Sequence, residues 1–202
     1  MDKVITIDGK EVGFRATALT PRLYRHKMQR DIIQDFSALE RSFKKAVKAK
    51  GLVEPGKDAT AEEKAAYEEQ VREAQLSATD LEIFENVAFV MARQYDTTIP
   101  DTVEEWLEGF NFFSIYEVLP ELLNLWHLNN ATTANAKKVR ATVRPSTGAL
   151  FMLRCAELRL TAQDLDEMAM GMVYDMLTEA ENDRYDWPLK GTQQDIEFFF
   201  GK

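Results

Sequence analysis

The clearest strand pattern lies at the start of the chain. Val4-Ile5-Thr6-Ile7 and Lys10-Glu11-Val12-Gly13-Phe14-Arg15-Ala16 flank Asp8-Gly9. Asp-Gly tolerates the two positive φ angles that a type I′ turn needs, so the segment predicts a β-hairpin. A lone hairpin is marginal in water. It must pack on helices or pair with another chain along an open edge.

From residue 20 the spacing becomes helical. Thr20 supplies an N-cap and Pro21 a first-turn proline. Leu23, Ile32, Ile33, Phe36, Leu39, Phe43 and Val47 then recur at helix period, which predicts a helix over 21–49 with a bend allowed. Gly51, Pro55 and Gly56 mark a loop. Residues 61–76 have high helix propensity but few large apolar side chains, and predict an exposed helix. Ser77 or Thr79 is expected to cap the next helix, which runs to about Tyr95 with Leu81, Phe84, Val87, Ala88, Met91 and Tyr95 inward. Asp101 or Thr102 caps a short helix over 103–108, closed by Gly109. Another helix runs from Ser114 to about Leu128, with a kink expected at Pro120.

Residues 129–145 are small, polar and basic, and 135–145 read as a linker. A further helix is expected over 146–159. Thr161-Ala162-Gln163-Asp164 has a capping-box pattern and opens a helix to about Asp183. Its inward face is expected to use Leu165, Met168, Ala169, Met172, Val173, Met176 and Leu177. Asp186-Trp187-Pro188 ends regular structure. The expected fold is mainly α: an N-terminal β-hairpin followed by a helical domain (1–134), the linker, and a small helical C-terminal module (146–202).

Composition narrows the class of function. The 202 residues are 45% hydrophobic, enough for a real core. No apolar run approaches the roughly 20 residues of a membrane span, so no membrane partner is expected. The N-terminus lacks the pattern of a signal peptide. A single cysteine, Cys155, in an apolar stretch reads as a buried, inert thiol. The net charge of −9 argues against nucleic acid as a partner. Residues 1–50 carry +6, residues 51–136 carry −13 and residues 137–202 carry −2. A basic start therefore faces an acidic middle, either as attraction between neighbouring elements or as a surface for an acidic partner.

No catalytic constellation emerges. The two histidines, His26 and His127, have no metal-ligand neighbours and read as surface residues. Nucleophile elbows, phosphate loops and Cys-x-x-Cys pairs are lacking. Asp175, Glu179 and Asp183 align on one helical face but lack a partner histidine, and read as a solvated acidic face. The chain is therefore expected to be no enzyme and to need no cofactor. Gly109-Phe110-Asn111-Phe112-Phe113 and Phe198-Phe199-Phe200 carry more large side chains than small helices usually hide. They read either as inter-helix core or as a surface for another protein.

These segments resemble a known family. Ile5-Thr6-Ile7-Asp8-Gly9-Lys10, Phe14 through Arg25, and Ile115-Tyr116-Glu117-Val118-Leu119-Pro120-Glu121-Leu122-Leu123-Asn124-Leu125-Trp126 are similar to tail assembly chaperones of long-tailed phages and prophages. Gly171 through Met176, Glu179, Asn182-Asp183 and Tyr185-Asp186-Trp187 resemble the module that such phages append by programmed frameshifting. The resemblance implies a chaperone of the host bacterial cytoplasm, absent from the mature virion. Its first part would bind the tape measure protein and its second would recruit the major tail tube protein. Lys137-Lys138 falls where a slip site would lie. The implied contact residues are Phe110, Phe112, Phe113 and Trp126 in the first part, and Trp187, Phe198, Phe199 and Phe200 in the second. The hairpin edge leaves self-association open. The competing reading is a structural tail-completion or adaptor protein retained in the virion.

Overall fold

A computed structural model describes residues 1–56, 58–137 and 144–185. The chain begins with β1 (Asp2–Ile7) and β2 (Lys10–Arg15), paired antiparallel with Ile7 opposite Lys10. Asp8 and Gly9 take φ of 50° and 73°, as the type I′ turn requires. Nine helices follow among the described residues, so the fold is mainly α, with the hairpin at its N-terminus.

The helix predicted over 21–49 is two helices, α1 (Thr20–Met28) and α2 (Ile32–Ala49). Gln29 takes φ 55° between them, and the Asp31 side chain caps α2 by accepting from the Ile33 and Gln34 N–H groups. The corner is locked from inside. Tyr24 Oη donates to Asp35 at 2.8 Å, and Arg30 forks onto the same carboxylate with two 2.9 Å bonds. Thr20 does not cap α1 with its side chain. Its Oγ1 accepts from Thr17 N and donates to Gln94 instead.

Helix α3 (Ala61–Ser77) opens with a Thr60/Glu63 capping box and buries only Ala74, as an exposed helix should. Helix α4 (Leu81–Tyr95) is capped by Asp80 rather than Ser77 or Thr79. It buries Ile83, Phe84 and the unbroken run Val87–Ala92, so it is enclosed on nearly every side. Leu81 and Tyr95, expected inward, are exposed at 57% and 41%. Tyr95 instead lies over Gly13 of β2, where a Cβ would sit 2.1 Å from its ring. The hairpin can lie this close to α4 only because residue 13 is glycine. Thr102 caps α5 (Val103–Leu107), and α6 (Ile115–Asn130) continues through Pro120.

Beyond the basic join lie α7 (Gly148–Glu157), α8 (Ala162–Glu167) and α9 (Met170–Asn182). The Thr161/Asp164 capping box is present. The helix expected to run on to 183 breaks at Met168 and Ala169, which are extended. Tertiary hydrogen bonds explain the break. The Met168 and Leu165 carbonyls accept from the Ala18 and Leu19 N–H groups at 2.8 and 2.9 Å, and Met170 N donates to Asn129 Oδ1. Straight helix would have used these groups internally. On α9 the buried side is Met170, Gly171 and Val173, whereas Met172, expected inward, is 55% exposed.

One apolar core runs through both parts of the chain. Phe14, Tyr24, Ile32, Phe89, Leu122, Phe151, Leu165 and Val173 belong to the same cluster. A polar latch crosses the same boundary. Gln94 Nε2 donates to Thr17 Oγ1 and Asp166 Oδ1, while Asn129, fully buried, bonds both Thr17 O and Met170 N. Residues 131–134 lie across α9. There the Asp175 carboxylate accepts from the Thr133 N–H and hydroxyl and from the Ala134 N–H at 2.8–2.9 Å. The join is thus a boundary of composition, while the packing on its two sides is continuous.

Candidate functional site

Of the expected contact residues, Trp126 is buried and stacked flat on Phe36, with ring centroids 4.5 Å apart. Phe110 and Phe113 pack edge-on against the buried Trp106 at 5.4 and 5.2 Å, and against each other. These three serve the inter-helix core. Phe112 alone points outward, 67% exposed. Lys10 Nζ donates to the Gly109 carbonyl, and the Asn111 backbone and side chain both donate to Asp8. The aromatic loop is therefore tied to the tip of the hairpin. Trp187, Phe198, Phe199 and Phe200 lie outside the described residues.

An extended recess lies elsewhere, where α2, α3 and α6 meet. Helix α2 ends in a Schellman motif. Gly51, at φ 66°, donates to Lys48 O, and Leu52 N donates to Val47 O. This turn folds Leu52 back beside Val47 and Phe43, and the three form one wall. Leu119, Pro120 and Leu123 of α6 form the floor, and Tyr67 and Val71 of α3 the opposite wall. Two adjoining hollows of about 400 and 430 Å³ result, sharing Gln75, Leu123 and His127. The sequence signal was present in the helical spacing of Phe43 and Val47. That α3 would stand off the floor rather than seal it was not.

Charge frames the groove. Much of the basic start is satisfied within the molecule, by Lys3–Glu121 at 2.9 Å, Arg30–Glu82 at 3.6 Å and Lys50–Glu73 at 3.4 Å. Attraction between neighbouring elements accounts for that share. Among the described residues, Arg41, Lys44, Lys45 and Lys48 are exposed and form no ion pair. Lys44 and Lys48 stand on the rim of the groove. Glu40, on the same rim, lies 4.0 Å from His127.

The groove offers shape and charge but no reactive chemistry. No cluster of three metal-ligating side chains occurs among the described residues. Asp175 is engaged with backbone: the Ala134 and Thr133 N–H groups hold its carboxyl below the ordinary value. Cys155 is buried, and desolvation pushes its thiol up to about 11, away from the reactive thiolate. His26 and His127 are both exposed. No described helix is long and apolar enough to cross a membrane.

Comparisons with protein-family models, with curated proteins and with solved structures find no match for this chain.

Proposed function

We propose that this protein is a non-catalytic binding protein that holds an apolar helical segment of a partner in the groove between α2, α3 and α6. In that role it would act as a phage tail assembly chaperone toward the tape measure protein. The observation that carries the reading is the groove itself: an apolar floor between walls of mixed apolar and charged residues, under a helix that buries one small residue. A partner helix laying its apolar stripe on Leu119, Leu123, Val47 and Leu52 would remove that surface from water. Acidic residues flanking the stripe would meet Lys44 and Lys48. The resemblance of the hairpin-to-helix run and of α6 to the chaperone family supplies the identity of the partner. The tube-recruiting role belongs to the part beyond the join, and the host cytoplasm is where both would act.

The test is a pull-down of tape measure fragments and tube protein by the full chain, beside Leu123→Glu and Val47→Glu. Both side chains are partly exposed, so each charge can reach water without unfolding the core. The expected result is capture of an apolar tape measure fragment by the full chain and its loss in both variants. Undiminished capture by both folded variants, or no capture by the full chain, overturns the proposal.

A further inference from the structure

The hairpin is a two-stranded sheet with one outer edge along each strand. Tyr95 covers the face of β2 at Gly13 and α4 packs against that strand, while α6 packs less extensively against β1. No described strand pairs with the outer edge of β1. Met1 and Ala16 exchange both backbone bonds at 2.9 Å, which sets the alternation along the ladder. Met1, Lys3, Ile5 and Ile7 turn their N–H and C=O groups toward β2. Asp2, Val4 and Thr6 turn theirs outward. Among the described residues, nothing bonds those outward groups. All three residues are exposed, Val4 by 49%. Such a row of unpaired N–H and C=O groups is a ready template for another strand.

We infer that the outer edge of β1 is a pairing site for β1 of a second copy of this chain, forming a four-stranded antiparallel sheet about a two-fold axis at Val4. The self-complementarity of the strand selects this occupant. With Val4 opposite Val4 of the second copy, Asp2 stands opposite Thr6 and Lys3 opposite Ile5. All three outward residues of each strand are then hydrogen-bonded, and no like charges face each other. Centring on Lys3 instead would set lysine against lysine, and centring on Ile5 would leave Asp2 unpaired. The inner side fits as well. A hollow of about 310 Å³ lies between the start of β1 and α6, where Met1, Leu125 and Leu128 adjoin the Lys3–Glu121 ion pair and Asn124. The residue of the added strand that stands beside Lys3 is Ile5, which is only partly buried in its own copy and so adds apolar contact at that margin. Such an interface is isologous, so it closes as a dimer. It is small, so the dimer is weak and exchanges readily.

Sedimentation velocity of the full chain over a concentration series tests this. The wild type is expected to show a concentration-dependent dimer. Val4→Lys and Val4→Glu each set like charges across the axis, and each is expected to weaken dimerisation roughly tenfold or more. An equimolar mixture of the two should restore it. Thr6→Asp, placed opposite Asp2, should weaken it likewise. Because Val4 and Thr6 use their backbone groups outside the hairpin's own ladder, far-UV circular dichroism and urea midpoints serve as the check that each variant folds. A wild type that stays monomeric throughout overturns the inference. So does a dimer indifferent to folded variants, or one that the charge-swapped mixture fails to restore.

Discussion

Gly171 is the residue on which the docking of the second part depends most sharply. A Cβ there would lie 1.7 Å from the Ala131 carbonyl oxygen, 2.6 Å from its carbon and 3.1 Å from the Asn130 carbonyl carbon. All three are backbone atoms at the end of α6, so no side chain can swing aside. In Gly171→Ala, α9 or the 130–131 backbone must retreat by more than an ångström. That retreat strains the Asn129–Met170 bond and the Thr133 and Ala134 bonds to Asp175. Overpacking of this kind costs about 3 kcal/mol, at the upper end of the usual range. Against it, alanine in a helix gains about 1 kcal/mol over glycine. The net expectation is a loss of about 2 kcal/mol, a fall in Tm of roughly 4–8 °C for a chain of this size. Urea and thermal unfolding measure it, with Gly56→Ala as the control. Gly56 has open space about it and no positive φ, so its replacement should be neutral or slightly stabilising. If Gly171→Ala proved as stable as wild type or more so, helix propensity would have won. The contact between α9 and the end of α6 would then not exist in solution.

Other expectations follow from the same structure. Gly13→Ala meets only the exposed ring of Tyr95, which can move; the cost should be about 1 kcal/mol and shrink when paired with Tyr95→Ala, as a double-mutant cycle in urea would show. Trp126→Ala empties a buried, stacked site and should cost about 3–5 kcal/mol, whereas Phe112→Ala should stay within about 0.5 kcal/mol; chemical denaturation of the two separates core from surface. The depressed carboxyl of Asp175 contributes stability above its unfolded value, and that contribution is lost as pH falls through its lower folded value. Amide exchange at Thr133 and Ala134 should therefore accelerate in acid ahead of the core helices, and Asp175→Asn should show the same loosening at neutral pH. For Cys155 the raised thiol means that stability falls as pH climbs from the unfolded value toward about 11. Alkylation at mildly basic pH should need unfolding and so track urea concentration.

Much of the fold was legible because local chemistry decided it. Asp8-Gly9 could make little but a tight hairpin, Thr161 and Asp164 satisfied each other's end of a helix, and the Ala- and Glu-rich run at 61–76 had too little apolar surface to be buried. What misled was structure decided at a distance. Nothing local in Met168-Ala169 forbids a helix; the chain opens there because the Ala18 and Leu19 amides need acceptors. The break at Gln29 had a local sign in Asp31, a good cap lying inside an otherwise helical period. For the contact surface, counting aromatic residues did not show which way they face. Phe110, Phe113 and Trp126 turn inward, and the apolar part of the groove comes from Phe43, Val47, Leu52, Tyr67 and Leu123, several of which looked like ordinary core positions. Spacing shows that a helix has an apolar side. It does not show whether a neighbour covers that side completely.

The bonds from Ala18 to Met168 and from Leu19 to Leu165 have a consequence in time as well as space. Ala18 and its acceptor are 150 residues apart, and at 5–20 residues per second the ribosome needs about 8–30 s to make the second after the first. For that interval the loop between hairpin and α1 is finished, but the Ala18 and Leu19 N–H groups lack their Met168 and Leu165 acceptors. A product ending soon after Lys137 would wait indefinitely. A chain cut at that point would therefore show a different surface around Ala18 from that of the full chain.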